Sequence, residues 1–114
     1  MNQYHDVNPI DKEAAEKMLS SDTIELVCQT MVSIAFHESD WHWAQDKFLK
    51  LLFHKNHNVS GLAATCLGHL ARIHNTLEKD RVIRTLKMHL NNSEIAGRIE
   101  DALDDIKIYV RHAS

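Results

Sequence analysis

The segment NVSGLAATCLGHL, Asn58 to Leu70, has the apolar spacing of an α-helix. Its apolar side chains recur every three or four residues, which places them on one stripe of a helix. Several of them are small, and small side chains at a contact let two helices approach closely. The stripe consists of Val59, Ala63, Cys66, Leu67, Leu70 and Ile73. The segment therefore predicts a central helix, over about 59–76, with a closely packed neighbour.

Five further helices are predicted on either side of the central helix, and short polar breaks separate them. Asn8 and Asp40 are typical helix starts, because their side chains accept hydrogen bonds from the first N–H groups of a helix. Asp22, followed three residues later by Glu25, is similar to a capping box. The predicted helices span about 9–20, 22–37, 41–54, 78–90 and 94–111. The chain is thus predicted to be all-α, with about six helices.

The central helix has counterparts elsewhere in the chain. Shifted by 36 residues, it aligns with the last helix, so that Ile95 falls on Val59 and Leu103 on Leu67. Shifted by 35 residues in the other direction, it aligns with the second helix. A period of this length is typical of stacked helix pairs, and about three pairs suffice to bury a continuous core. We predict a short α-solenoid of three helical hairpins; the alternative is a plain six-helix bundle with accidental periodicity.

The motif of the central helix resembles the second helix of a HEAT-type repeat, which typically reads V-x-x-x-A-A-x-A-L-G-x-L. The matching positions are Val59, Ala63, Ala64, Leu67, Gly68 and Leu70. The resemblance implies a HEAT/armadillo-like architecture over roughly residues 10–110. The last helix departs from the pattern, because Glu100 stands where the central helix has Ala64, and Asp104 where it has Gly68. This departure suits a terminal repeat with a polar outer face.

Composition limits the class of protein. The chain has 114 residues, 44% of them hydrophobic, and a net charge of −3, which excludes a strongly basic nucleic-acid binder. We expect a flexible N-terminus over 1–8 and a single HEAT-like domain over 9–114. Cys28 and Cys66 lack the CxxC spacing and lie on apolar stripes, which predicts buried free thiols in a reducing compartment. Since neither a signal peptide nor an apolar run of membrane length is evident, we predict a cytoplasmic protein without a membrane partner.

Nine histidines raise the question of a metal site. His54 and His57 are three residues apart, and His69 and His74 are five apart, but the sequence lacks an HExxH motif and an evident further ligand. We therefore predict exposed or capping histidines, with no metal site and no cofactor. Paired carboxylates of the last helix could act as general acid and base, but acids on one exposed helical face usually stay solvated. We predict no catalytic residue and no enzyme activity.

The last helix carries four acids within six residues, and their mutual repulsion destabilises a helix. They are Glu100, Asp101, Asp104 and Asp105. Because the second helices of the pairs line the binding face of a solenoid, we predict that these acids contact a protein partner. The alternative is a solvated face, partly offset by Arg98, Lys107 and Arg111. Trp43 and Glu38 are weaker candidates for partner contacts; Trp is frequent at interface hot spots, and the alternative for Trp43 is packing against helix one or five.

A run of cations could instead contact the phosphates of a nucleic acid. It consists of Arg72, Lys79, Arg81, Arg84 and Lys87. Acids elsewhere in the chain dilute this run, and it lacks interleaved aromatic residues. A nucleic-acid partner is therefore the less favoured prediction.

The succession of GLAATCLGHLARIH and IAGRIEDALDDI in so short a chain resembles the small stand-alone HEAT-like proteins of bacteria. Some of these are immunity proteins that neutralise polymorphic or contact-dependent growth-inhibition toxins. The resemblance implies a cytoplasmic inhibitor that binds one cognate toxin, a basic nuclease in many cases, and occludes its active site. An acidic surface would mimic nucleic acid and steer association. The alternatives are a general HEAT-repeat scaffold or adaptor and a nucleic-acid-binding HEAT-like protein.

Overall fold

The computed structural model describes residues 10–111, and its secondary structure there is entirely helical. The six helices are α1 (Lys12–Leu19), α2 (Ile24–His37), α3 (Trp41–Leu51), α4 (His57–His74), α5 (Lys79–Lys87) and α6 (Ala96–Tyr109). The predicted all-α class and helix number are confirmed. The predicted flexible segment 1–8, and the predicted helix start at Asn8, lie outside the described residues.

The helix starts follow from side chains that accept backbone N–H groups. The Asp40 carboxylate accepts the N–H of Trp43 at 3.1 Å, which confirms the predicted start of α3. The predicted start of the central helix is two residues too late, because the side chain of Asn56 accepts the N–H groups of Asn58 and Val59. The predicted cap at Asp22 is also wrong: α2 begins after Thr23, without a capping side chain.

The helix ends come earlier than the apolar pattern suggests. α3 ends at Leu51, so the prediction that His54 lies in its last turn is wrong. The His54 ring instead accepts the N–H of Asn56 at 3.0 Å, in the turn that leads into α4. α4 ends at His74, and the next residue, Asn75, has a left-handed backbone (φ 56°) and donates its N–H to the carbonyl of Ala71.

Helix α4 lies at the centre of the packing and contacts α2, α3 and α6. The thiol of Cys66 lies 3.9 Å from the carbonyl oxygen of Met31, 35 residues away in sequence. Arg72 of α4 binds Asp105 of α6, 33 residues away. Contacts with separations of 33 and 35 residues also join α3 to α5. Helices that are about one predicted period apart in sequence therefore run side by side in the same direction. That the helix pairs are HEAT-type repeats stays a prediction.

The core is aliphatic and includes most of the predicted stripe of α4. Val59, Ala63, Leu67 and Leu70 are inaccessible to solvent. Ile73, the last predicted member, is 56% exposed, and its assignment to the core was wrong. The reason is that α2 ends at His37, so it does not extend alongside the last turn of α4. Leu90, the last residue of the predicted helix 78–90, is also exposed, because α5 already ends at Lys87.

The two cysteines are free and buried, as predicted. Burial raises the pKa of the Cys28 thiol above its usual value. It raises the pKa of the Cys66 thiol to about 12. Among the helices over residues 10–111, none combines the length and the apolar composition needed to cross a membrane.

Candidate protein-binding surface

The four predicted acids of α6 have different environments. Glu100, Asp101 and Asp104 are exposed, and none of them forms an ion pair with any residue in 10–111. The side chain of Asp105 is only 22% exposed, and its carboxylate accepts a hydrogen bond from the Arg72 guanidinium at 3.0 Å. Three of the acids therefore face solvent, and the fourth is engaged within the chain.

Asp105 is held at the closest approach of α4 and α6. A Cβ atom added at Gly68 would lie 2.8 Å from the Asp105 carboxylate and 3.3 Å from the backbone of Ala102. The missing side chain thus lets the two helices meet and brings Arg72, one turn beyond Gly68, within reach of Asp105. The carboxylate of Asp105 connects α4 to α6.

A ring contact continues this connection to α2. The rings of Phe36 and His69 lie edge to face, with centroids 4.7 Å apart. Nδ1 of His69 lies 3.4 Å from the Arg72 guanidinium. Burial, followed by the nearby charge of Arg72, lowers the pKa of His69 below its usual 6.5, so the ring is neutral at pH 7. Because Arg72 can only donate, Nδ1 accepts and the proton resides on Nε2.

Three large apolar side chains on the same helices are more than half exposed. Phe36 of α2 is 62% exposed, and Ile73 of α4, one turn beyond His69, is 56% exposed. Ile108 of α6 is 55% exposed and lies one turn beyond Asp104. We define the acidic–apolar face as six of the exposed side chains of α2, α4 and α6, namely Phe36, Ile73, Glu100, Asp101, Asp104 and Ile108.

The surface of α1, α3 and α5, with the loop that precedes α3, is different. Lys12 binds Asp40 at 2.5 Å, and Lys47 binds Glu16 at 2.8 Å. Arg81 binds both Asp46 at 2.8 Å and Glu78 at 2.6 Å. We call this surface the ion-paired face, which comprises Lys12, Glu16, Asp40, Asp46, Lys47, Glu78 and Arg81. Its principal cations already have carboxylate partners in the chain.

The two weaker predicted contact residues belong to this second region. The indole of Trp43 donates to Glu16 at 3.4 Å, and the ammonium groups of Lys12 and Lys47 lie 5.5 Å and 5.7 Å from its ring. The Glu38 carboxylate accepts the N–H of Asp40 at 2.9 Å. Trp43 and Glu38 are thus engaged in contacts around α1 and α3, whereas the predicted acids lie on α6.

Sequence reasoning did not identify a groove of about 520 Å³ beside α3 and α5. Its apolar lining includes Trp43, Leu49 and Phe53, together with Met88, which follows the end of α5. The ring of Phe53 packs edge to face on that of His89, with centroids 4.7 Å apart. The available signal was that predicted helix three is apolar on more than one side: Trp43, Leu49 and Phe53 lie off the stripe formed by Trp41, Ala44 and Phe48.

One cluster on the ion-paired face has donor atoms suitable for a metal. Atoms of His42, Asp46 and Glu78 lie within 4.8 Å of one another. The guanidinium of Arg81, however, already lies between the two carboxylates, at 2.8 Å and 2.6 Å. The arrangement is therefore that of an ion-pair network whose cation is Arg81.

The predicted basic run is also largely engaged within the chain. Arg72 and Arg81 are ion-paired, as described, and the ammonium of Lys79 donates to the carbonyl of Val110 at 3.1 Å. Arg84 and Lys87 remain exposed. Two exposed cations on one short helix can contact few phosphates, which would give only weak electrostatic binding to nucleic acid.

Comparison with known proteins finds similarity to a solved structure. No protein-family model matches the chain, and no curated protein matches it. The chain is similar to a chain in the crystal structure of a CDI complex from Cupriavidus taiwanensis LMG 19424. The two are 30% identical, the match covers 98% of this chain and 100% of the other, and the TM-score is 0.83. The protein therefore belongs to the same family as this component of the Cupriavidus CDI complex.

Proposed function

We propose that the protein is an immunity protein of a contact-dependent growth-inhibition (CDI) system. It binds one cognate toxin domain in the cytoplasm and neutralises it by covering the active site. The observation that carries this proposal is the full-length similarity, at 30% identity, to a component of a CDI complex. A relative found in a complex supports a role in binding one specific protein.

The chemistry of the described residues favours binding over catalysis. Burial raises the pKa of Cys66 to about 12, so this thiol is not a nucleophile at neutral pH. The cluster of His42, Asp46 and Glu78 is closed by Arg81. Glu100, Asp101 and Asp104 lie exposed to water on one helix, and not in the water-excluding pocket that acid–base catalysis uses.

The charge distribution supports a basic partner, of which a nuclease is the clearest example. Glu100, Asp101 and Asp104 place three negative charges on two turns of α6, and these charges have no ion-pair partner within residues 10–111. Such a cluster attracts a cationic protein surface and speeds encounter with it, and it repels nucleic acid. A toxin that binds nucleic acid through a basic active site would be inhibited by a protein that presents carboxylates there.

The proposal is tested by capture and rescue. The tagged protein is used to isolate partners from its source strain in high salt, and the captured domain is then expressed in a laboratory host. We expect that domain to stop growth, with degradation of cellular RNA or DNA, and we expect co-expression of this chain to restore growth.

The control is the chain expressed alone, which should be harmless. Growth arrest by the chain itself would contradict an immunity role. A captured protein whose toxicity is not relieved by the chain would also contradict the proposal. Recovery of several weakly bound proteins would favour a scaffold role. Recovery of nucleic acid would favour a nucleic-acid-binding role for Arg84 and Lys87, the exposed cations of α5.

A further inference from the structure

We infer that the acidic–apolar face is the surface on which the cognate toxin docks, with separate tasks for its acidic and apolar side chains. The acids steer a basic partner to the surface, and the apolar side chains hold it there. The inference rests on the proposed function and adds to it the surface, the chemistry of the partner and the kinetic role of each group.

The first argument is charge complementarity. On the ion-paired face, Lys12, Lys47 and Arg81 each bind a carboxylate of this chain, so the carboxylates of that face are already paired. On α6, Asp101 and Asp104 have no such partner among residues 10–111. A basic partner gains attraction only where the carboxylates are not already paired.

The second argument is the position of the apolar side chains. Phe36, Ile73 and Ile108 lie near the C-terminal ends of α2, α4 and α6, which run side by side. The side chain of Asn75 donates to the carbonyl of Tyr109 at 3.4 Å, so the ends of α4 and α6 are close together. Apolar side chains next to a charged border have the composition of a protein–protein interface, with its apolar centre and polar rim.

The composition of this face also selects the class of partner. Asp101 and Asp104 would repel the phosphates of nucleic acid and the anionic headgroups of a bilayer. A protein surface with Lys or Arg side chains around an exposed apolar group complements both features. The occupant is therefore a basic protein domain with an apolar contact point.

The third argument is that the floor of this surface is already ordered. Phe36 contacts the neutral ring of His69, His69 contacts Arg72, and Arg72 binds Asp105. These contacts join α2, α4 and α6, so the three helices present their exposed side chains in fixed relative positions. A preorganised surface loses less conformational entropy on binding.

The acidic part is tested with the purified toxin domain by measuring association and dissociation rates at about 50 mM and about 500 mM salt. The variant Asp101→Lys/Asp104→Lys should associate at least about tenfold more slowly at low salt, and its association rate should lose most of the salt dependence. The matched control is Glu13→Lys/Asp80→Lys, which changes the net charge equally with exposed acids of α1 and α5. The control should associate within about threefold of the unmodified protein.

The apolar part is tested with Ile73→Ala/Ile108→Ala. Dissociation should become at least about tenfold faster, because apolar anchors act on the lifetime of a complex, while association should change less than about threefold. The matched control is Phe53→Ala/Met88→Ala, which removes two exposed apolar side chains at the groove of the ion-paired face. That control should keep both rates.

The outcomes separate this inference from the proposed function. If the unmodified protein binds and neutralises the toxin, but only the two control variants weaken binding, the surface inference is wrong and the immunity proposal stands. If the acidic double variant and the apolar double variant slow association to the same extent, the acids do not act mainly on association and the apolar side chains do not act mainly on dissociation, and the assignment of separate tasks is wrong. If the unmodified protein neither binds nor protects, the proposed function itself fails.

Discussion

The two faces of the molecule use the same types of charged residue in different ways. On the ion-paired face, Lys47 binds Glu16, and Arg81 binds two carboxylates, so these charges join α1 to α3 and α3 to α5. On the acidic–apolar face, Asp101 and Asp104 have no cationic partner among residues 10–111. The first arrangement connects helices of the chain, and the second leaves charge available to another molecule.

The difference teaches that residue type alone does not separate structural from partner-binding charges. Lys47 binds Glu16, 31 residues earlier, and Arg81 binds Asp46, 35 residues earlier. Even within α6, Asp105 belongs to the structural class because Arg72 reaches it from α4. A charge is left for a partner only where the packing of helices brings no opposite charge to it.

The largest expected effect is on the free energy of unfolding. It compares two isoleucines of α6, one in the core and one on the acidic–apolar face. Ile106 is fully buried, whereas Ile108, two residues later, is 55% exposed. Ile106→Ala should lower the free energy of unfolding by about 2–5 kcal/mol, because it leaves a cavity in the core. Ile108→Ala should change it by less than about 0.5 kcal/mol. Denaturant unfolding of both variants measures this, and equal losses would show that Ile108 is structural rather than available to a partner.

The second prediction concerns the link from α3 to α5 beneath the ion-paired face. The buried side chain of Gln45 accepts the N–H of Glu78 and donates to its carboxylate, both at 2.7 Å. Gln45→Ala should lower the free energy of unfolding by about 2 kcal/mol, because buried polar groups lose their partners. Gln29→Ala is the control: the side chain of Gln29 makes no hydrogen bond within residues 10–111, and its loss should cost less than about 0.5 kcal/mol. A Gln45→Ala variant with the same free energy of unfolding as the unmodified protein would contradict this link.

The smallest predicted effect is the pH dependence of the stability that the ion pairs of Glu78 contribute. The hydrogen bond from Arg81, followed by that from Gln45, lowers the pKa of Glu78 below its usual 4.5. A carboxyl whose pKa is lowered by folding stabilises the protein above its unfolded-state pKa, and this contribution disappears as the pH falls through the folded-state pKa. Arg81→Ala should therefore be less stable than the unmodified protein near pH 7, and the two should converge below about pH 4.

The control for this pH series is Arg84→Ala, on the next turn of α5. Arg84 is exposed and has no ion-pair partner in the described part of the chain. Its removal should leave the pH dependence of unfolding unchanged. A difference between Arg81→Ala and the unmodified protein that stays constant from pH 7 to pH 3 would contradict the assigned role of Glu78.

Local patterns allowed much of the architecture to be predicted. The spacing of Val59, Ala63 and Leu67 identified the buried side of α4, because the helical period fixes which residues share a side. Asp40 marked the start of α3, since a cap depends on residues adjacent in sequence. The prediction at Ile73 was wrong because burial there depends on where α2 ends.

The candidate surface was predictable only in part. The acidic cluster of α6 was visible as a run of charges, but the separate role of Asp105 depends on Gly68 and Arg72 of another helix. Trp43 and Glu38 were chosen as weaker partner contacts, and the structure shows them engaged around α1 and α3. Their use by a partner stays a prediction.

The sequence by itself determined the six helices, most of their buried sides and the concentration of acid on α6, since all of these depend on neighbours within a few residues. Only the tertiary structure decided which charges are paired and which apolar side chains remain exposed. The physical reason is that these ion pairs and much of the burial depend on side chains brought together from 28 to 35 residues apart, by the packing of one helix beside another. That packing leaves Asp101, Asp104 and Ile108 exposed on a surface that a basic protein can bind.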